Sequence, residues 1–332
     1  MDLSKFNRIP AFCLRTLFIV IAVLCLLLGM ITRDARRQKA TAEWVKKSVP
    51  NNVHPVGYAY ELTYDGLRVR HSPPPPGTGW LRNLIGIDYF STVVSVNMAG
   101  SQITDYRPLA NFPGLTHLSI GESEIDDLSP LAELKSLRVL NMVGTQVTDI
   151  SPLTELANLE TLHLSNTPIR DYQALERMRK LTCLNLNGTR GTDLSPLRNM
   201  TAMETLSLSN TPVSDISALA GMTNLERLNL EVTHVSDLSP LEHLTRLTHL
   251  YLNGSRARDL SPVRHLQRLQ VCGVYDTKVT DLSPLDDLAL LMVLGVTRGD
   301  TMHREIARFR AQRPRCTVEE LDPDEWRTKR EN

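Results

Sequence analysis

Net charge is missing from this chain: 37 lysines and arginines balance 37 aspartates and glutamates. No overall field draws it towards nucleic acid or another polyanion, so no nucleic-acid partner is expected. Cysteine is scarce as well. Of the five, Cys13 and Cys25 lie in or beside an apolar N-terminal run, and Cys183, Cys272 and Cys316 are far apart. That scatter excludes the short spacing of a zinc site or redox motif, and it gives no sign of a disulfide-stapled secreted domain. Gly-rich phosphate loops and the H-E-x-x-H pattern are also absent, so neither a cofactor nor a metal is expected.

Charge is absent again from Thr16 to Thr32, TLFIVIAVLCLLLGMIT, a run bracketed by Lys5, Arg8 and Arg15 and by Arg33, Arg36, Arg37 and Lys39. At about 1.5 Å per residue this run spans roughly 25 Å, a short transmembrane helix. It lacks the small-residue cleavage site of a signal peptide. Residues 1–33 are therefore expected to be an uncleaved single-pass anchor in a cytoplasmic membrane, with the lipid bilayer as the partner of residues 16–32. Basic residues are split almost evenly between the flanks, which leaves the side of the membrane open. Good helix formers over 34–48 predict a helical stalk that continues the anchor.

What is present from residue 49 onwards is turn chemistry, then repetition. Apolar alternation on either side of Tyr64-Asp65-Gly66 predicts a hairpin within Val56 to His71. Pro73 to Pro76 form a semi-rigid spacer. Trp80, Leu81, Leu84, Ile85, Tyr89 and Phe90 would cover the open first edge of a repeat core, completing an N-terminal cap over 49–92. Aspartate then recurs at Asp105, Asp127, Asp149, Asp171, Asp193, Asp215, Asp237, Asp259 and Asp281, each 22 residues after the last, usually within V/I-x-D-L/I-S-P-L. Ten residues after each comes L-x-x-L-x-L-x-x-T, as in Leu159-Leu162-Leu164-Thr167, and an earlier copy starts at Val93.

Two apolar residues two apart point the same way from a strand and leave the residue between them facing out. Each repeat over 93–297 thus adds one short strand to a parallel sheet, and a 22-residue period leaves room only for a 3₁₀ or short helical return. In S-P-L the serine suits the helix N-cap, and proline suits the first helical position. The fold class is an α/β solenoid, a right-handed coil with a concave parallel sheet of about ten strands. A hydroxyl column, Ser101, Ser123, Thr145, Thr167, Thr189, Thr211, Thr233, Ser255 and Thr277, is expected to satisfy backbone groups of adjacent coils. The aspartate column would stack at about 4.8 Å, which invites calcium. Calcium β-rolls use a Gly-rich nonapeptide that is absent here, so each Asp is expected to bond N–H groups of its own turn.

The outward strand residues are where a ligand could be read. Early coils present Ser95, Asn97, Ser119 and Asn141; later ones present Arg227, Asn229, Glu231, His249, Tyr251, Asn253 and Tyr275. Arginine and aromatic anchors favour the later set as the ligand-binding residues. His163 beside the strand of Cys183 is the one pairing with the form of a nucleophile and base, but no oxyanion donor or orienting carboxylate accompanies it, so no catalytic residue is assigned. Met302 to Phe309 predict a helix, and Arg315 to Val318 a last strand, forming a C-terminal cap over 298–320 before a charged tail over 321–332.

The run Thr145-Gln146-Val147-Thr148-Asp149-Ile150-Ser151-Pro152-Leu153, repeated over about Val93 to Thr297, resembles the bacterial internalin-type leucine-rich repeat. The resemblance implies a protein or peptide ligand on the concave sheet. Thr or Ser stands where the internalin pattern has Asn, and wall-attachment features are missing, so host-cell adhesion is not implied. The expected function is a non-enzymatic, membrane-tethered protein-binding scaffold. The alternative is an architectural envelope protein without a specific ligand.

Overall fold

The structure, a computed structural model, describes residues 33–34, 36–48, 56–58, 93–322 and 325. The apolar run at 16–32, the Tyr64-Asp65-Gly66 turn, the proline spacer and the Trp80 to Phe90 segment lie outside these residues. Among the described residues, no helix is long and apolar enough to cross a membrane.

Ten repeat strands follow one another in chain order: β2 (Val93–Asn97), β3 (His117–Ser119), β4 (Val139–Asn141), β5 (Thr161–His163), β6 (Cys183–Asn185), β7 (Thr205–Ser207), β8 (Arg227–Asn229), β9 (His249–Tyr251), β10 (Val271–Val274) and β11 (Val293–Thr297). Each pairs in parallel with the next, and β12 (Thr317–Leu321) extends the row to eleven parallel strands. A short β1 (Val56–Tyr58) closes the other edge, antiparallel to β2, so the partner of this half of the expected hairpin is the repeat sheet itself.

The register places Val96, Leu118, Leu140, Leu162, Leu184, Leu206, Leu228, Leu250, Cys272 and Leu294 in one inward line. None is more than 1% exposed. Burying one leucine stabilises by about 1.5–3 kcal/mol, so this line and its neighbours dominate the fold.

The return of each coil is a 3₁₀ turn, such as Ser129–Glu133 and Ser151–Glu155, with its leucine buried. The serine expected to cap the turn is its first residue instead. The cap comes from the aspartate two positions earlier: Asp127 Oδ1 accepts the Ser129 N–H at 2.8 Å, and Asp149, Asp193 and Asp281 repeat the bond. Hydrogen bonds of this kind hold the carboxyls of Asp127, Asp193, Asp215, Asp259 and Asp281 below their ordinary range. The hydroxyl column also works within its own coil. Thr167, Thr189 and Thr211 donate to the carbonyls of Leu164, Leu186 and Leu208, three residues back, at 2.6–2.7 Å, and Thr189 in addition meets the Tyr172 hydroxyl of the preceding coil at 2.6 Å. Short side chains fold back more readily than they cross to a neighbour.

Both ends of the stack are covered. Helix α1 (36–48), expected as a stalk in water, buries Ala42 and Val45 in the common core, with Trp44 packed against it. Asn111 of the first return donates to Thr41 Oγ1 at 3.0 Å. The open apolar end of a solenoid must be capped, and a helix with apolar residues three apart serves this purpose. At the far end, α2 (Asp300–Gln312) buries Met302, Ile306 and Phe309. It is tied down by Arg308, which pairs with Asp286 of the last return at 2.6 Å and is held in place by Glu305 of its own helix at 3.0 Å. The last strand starts at Thr317 and runs to Leu321, later than the sequence predicts, because its pairing with β11 continues to Thr297.

Candidate functional site on the sheet face

On β8 and β9 the register sets Arg227 beside His249 and Asn229 beside Tyr251. Arg227 is exposed, and the nearby Glu226 carboxylate is taken by Arg246 at 3.1 Å. His249 Nδ1 shares a 2.8 Å hydrogen bond with the Thr248 hydroxyl, and its ring lies 6.3 Å from that of Tyr251. Burial first, and the Arg227 charge second, lower the pKa of His249. Its ordinary value is about 6.5, so the imidazole is neutral at pH 7 and offers one donor and one acceptor.

Glu231 lies at the end of the same row. Its carboxylate accepts the amides of Asn229, at 3.2 Å, and Asn253. Both oxygens are thereby satisfied from within the face, and the Arg227 charge is left facing solvent.

Asn253 and Tyr275, expected to face a ligand, are instead buried at 5% and 8% exposure. The cause is a pair of glycines. On β10 and β11 the outward position in register with Tyr251 is Gly273 and then Gly295. A Cβ on Gly273 would lie 2.6 Å from Asn253 Oδ1, and one on Gly295 would overlap the Tyr275 ring. Both side chains therefore lean across bare backbone. Asn253 Oδ1 accepts the Tyr275 N–H at 2.9 Å, and the Tyr275 hydroxyl donates to Glu319 on β12 at 3.2 Å. Burial first, and Glu319 second, raise the pKa of that hydroxyl. Of the seven sequence-predicted residues, five form a contiguous accessible patch and two form the polar cover beside it.

Sequence reasoning overlooked Gly273, Gly295 and Glu319, although V-C-G-V and V-L-G-V visibly break the L-x-L pattern. It also overlooked Val232, whose φ of 54° is left-handed. The same turn position is Gly100, Gly144, Gly188 and Gly254 in other coils, and a β-branched residue there is strained.

One bond is common to early and late coils: Asn97, Asn141 and Asn185 each accept an N–H two residues on at 3.0–3.1 Å, as Asn229 does from Glu231 at 2.8 Å. Cys183 pairs in register with Thr161, not His163. Burial, then Glu204, raises the pKa of its thiol, and burial lowers that of His163. A protonated thiol and a weakened base do not make a nucleophilic pair at neutral pH. Among the described residues, no group of three or more His, Cys, Asp or Glu is placed to hold a metal ion.

Comparison with known proteins agrees with this geometry. The family described as a leucine-rich repeat region matches residues 92–239, and a second, of leucine-rich repeats in two copies, matches 223–265. The structure is similar to internalin C2 of Listeria monocytogenes, at 30% identity over 56% of this chain and 83% of that one, with a TM-score of 0.55. An internalin (inlF) of the same organism is 21% identical over 74% of this chain and 90% of its own, with a TM-score of 0.52. The leucine-rich-repeat ectodomain of a plant membrane receptor kinase from Arabidopsis thaliana, solved in complex with Casparian strip integrity factor 2, is 20% identical over 62% of this chain and 28% of its own, at a TM-score of 0.54. No curated protein matches the sequence.

Proposed function

Since the chain belongs to the leucine-rich-repeat family, with repeats of the internalin type, we propose that it is a non-enzymatic scaffold holding a protein or peptide ligand on its concave sheet face. Proteins of this family generally serve as protein-binding scaffolds, and the similar plant ectodomain was solved with a bound partner. The observation that carries the reading is the cluster of Arg227, His249 and Tyr251 on adjacent strands, accessible and set in one register. A guanidinium and an aromatic ring are the side chains most often found as binding anchors. A rigid parallel sheet holds them with little ordering cost on association. The uncharged run at residues 16–32 supports tethering to a cytoplasmic membrane as part of the same proposal.

The test is crosslinking in native membranes followed by mass spectrometry, with wild type and Arg227→Ala/Tyr251→Ala compared. Loss of a discrete partner at an unchanged melting temperature supports the scaffold. An identical partner set in both proteins refutes the assignment of this patch. No crosslinked partner in either, together with a phenotype lost on deleting residues 1–33, favours the architectural role.

A further inference from the structure

At the rim of the last coil the repeat departs from its own chemistry. The position three before each strand is Arg246 and Lys180 in earlier coils, while the position directly before the strand is Arg138, Glu160 and Glu226. These side chains stitch coil to coil: Arg138 to Glu160 at 2.7 Å, Lys180 to Asn158 at 2.7 Å, Arg246 to Asn224 at 2.9 Å. In the coil of β11 the same positions are Leu290 and Met292, 51% and 54% exposed. They are the exposed large hydrophobics among the described residues.

They border a groove of about 640 Å³ between this rim and the chain leaving α2, with Gln270, Gln312, Arg313, Pro314 and Arg315 on its other sides. No carboxylate lines it. Arg313 is committed to the carbonyls of Asp286 and Leu288, whereas Arg315 is exposed. The column of Met292 is polar from Thr116 to Gln270, and that of Leu290 is polar or small, Gly114 and Ala202 being the small residues, so two large apolar side chains left in water here read as a recognition feature, not a packing one. A groove of this volume takes a few side chains of a short segment, whereas a stable dimer needs a broad face of roughly 800 Å² per partner. A concave shape also admits a side chain better than it meets a flat lipid surface.

We propose that this groove is a second binding site, distinct from the patch on β8 and β9, and that it takes a short acidic peptide segment, with a large apolar side chain between Leu290, Met292 and Pro314 and a carboxylate on Arg315. An acidic segment complements a lining that carries guanidinium and amide groups alone among its charged and polar side chains.

The experiment uses the full chain and two fluorescein-labelled peptides, one alternating leucine with glutamate and one alternating leucine with lysine, read by anisotropy. Leu290→Arg/Met292→Gln restores the residues that the preceding coil carries at the same positions, Arg268 and Gln270, and so retains a sequence the fold already accommodates. The glutamate peptide binds wild type saturably, at least about tenfold more tightly than the lysine peptide. Its affinity falls by about tenfold in Leu290→Arg/Met292→Gln and again in Arg315→Glu. Equal affinity for both peptides, no saturable binding, or indifference to the groove substitutions overturns the proposal. So do two other results: a dimer in sedimentation that the double substitution dissolves, which assigns the groove to a second copy, and vesicle binding that the same substitution removes, which assigns it to lipid.

Discussion

On β4 and β9 the inward leucines, Leu140 and Leu250, are equally and fully buried, yet their outward neighbours have little in common. Around β4 the face carries Val139 and an Asn141 whose amide serves its own turn; around β9 it carries His249 and Tyr251 beside Arg227, with Asn253 and Tyr275 folded over two glycines. The contrast teaches that the interior demands a buried apolar side chain at every step of a column, nearly always leucine, while the outer face is under no such demand and is free to specialise in one stretch of coils.

The largest test of that statement is the pair Leu140→Ala and Leu250→Ala. Each is expected to lower stability by about 3 kcal/mol in chemical denaturation, because the two sites share burial and neighbours. A difference above about 1 kcal/mol would mean that the specialised coils are held by something besides the common core.

Next in size is the outer face. Gly295→Val forces the Tyr275 ring off its place and is expected to cost about 2 kcal/mol, whereas Ser119→Val, at the same position on β3, changes stability by less than about 0.5 kcal/mol. Tyr275→Ala combined with Gly295→Val should recover part of the loss. If it does not, the ring is not what excludes a side chain there.

A smaller effect separates backbone from packing. Val232→Gly relieves the left-handed strain and is expected to raise stability by about 1 kcal/mol; Gly100→Val, with open space around the added Cβ, should lower it by a similar amount. Thermal melts of the two variants check this, and a melting temperature that falls in Val232→Gly would show that the valine side chain contributes packing that outweighs the strain.

The weakest effect is acid sensitivity. Arg107 holds the Asp105 carboxyl at about 2 through a side-chain and a backbone hydrogen bond. Its unfolded value is about 3.9, so the stabilisation is present above that pH and is lost as pH falls towards 2. Asp105→Asn should therefore flatten slightly the decline of melting temperature between pH 4 and 2. An unchanged slope would show that solvent screens the exposed pair completely.

Much of the molecule could be read before any coordinates. Leu118-x-Ile120 and its equivalents named the strands, Asp149-Ile-Ser-Pro-Leu153 named the returns, and Ile306 with Phe309 named the closing helix, because periodic apolar residues leave a solenoid one way to bury them. The candidate patch was legible in Arg227, His249 and Tyr251, since alternation alone turns them outward. Asn253 and Tyr275 were not legible as buried residues. Their burial depends on the absence of side chains at Gly273 and Gly295, which lie 20 positions further along the chain and one coil away in space. The docking of α1 was equally hidden, because nothing within 36–48 states which surface needs cover.

The sequence by itself determined the coil, its period, its inward columns and its turns, for these follow from local spacing and repeat without reference to distant contacts. Only the tertiary structure decided which outward residues remain accessible, which carboxylates are quenched by amides of the next coil, and which helix closes the first edge. Those outcomes depend on how neighbouring coils fill one another's space, and no linear pattern records an empty volume.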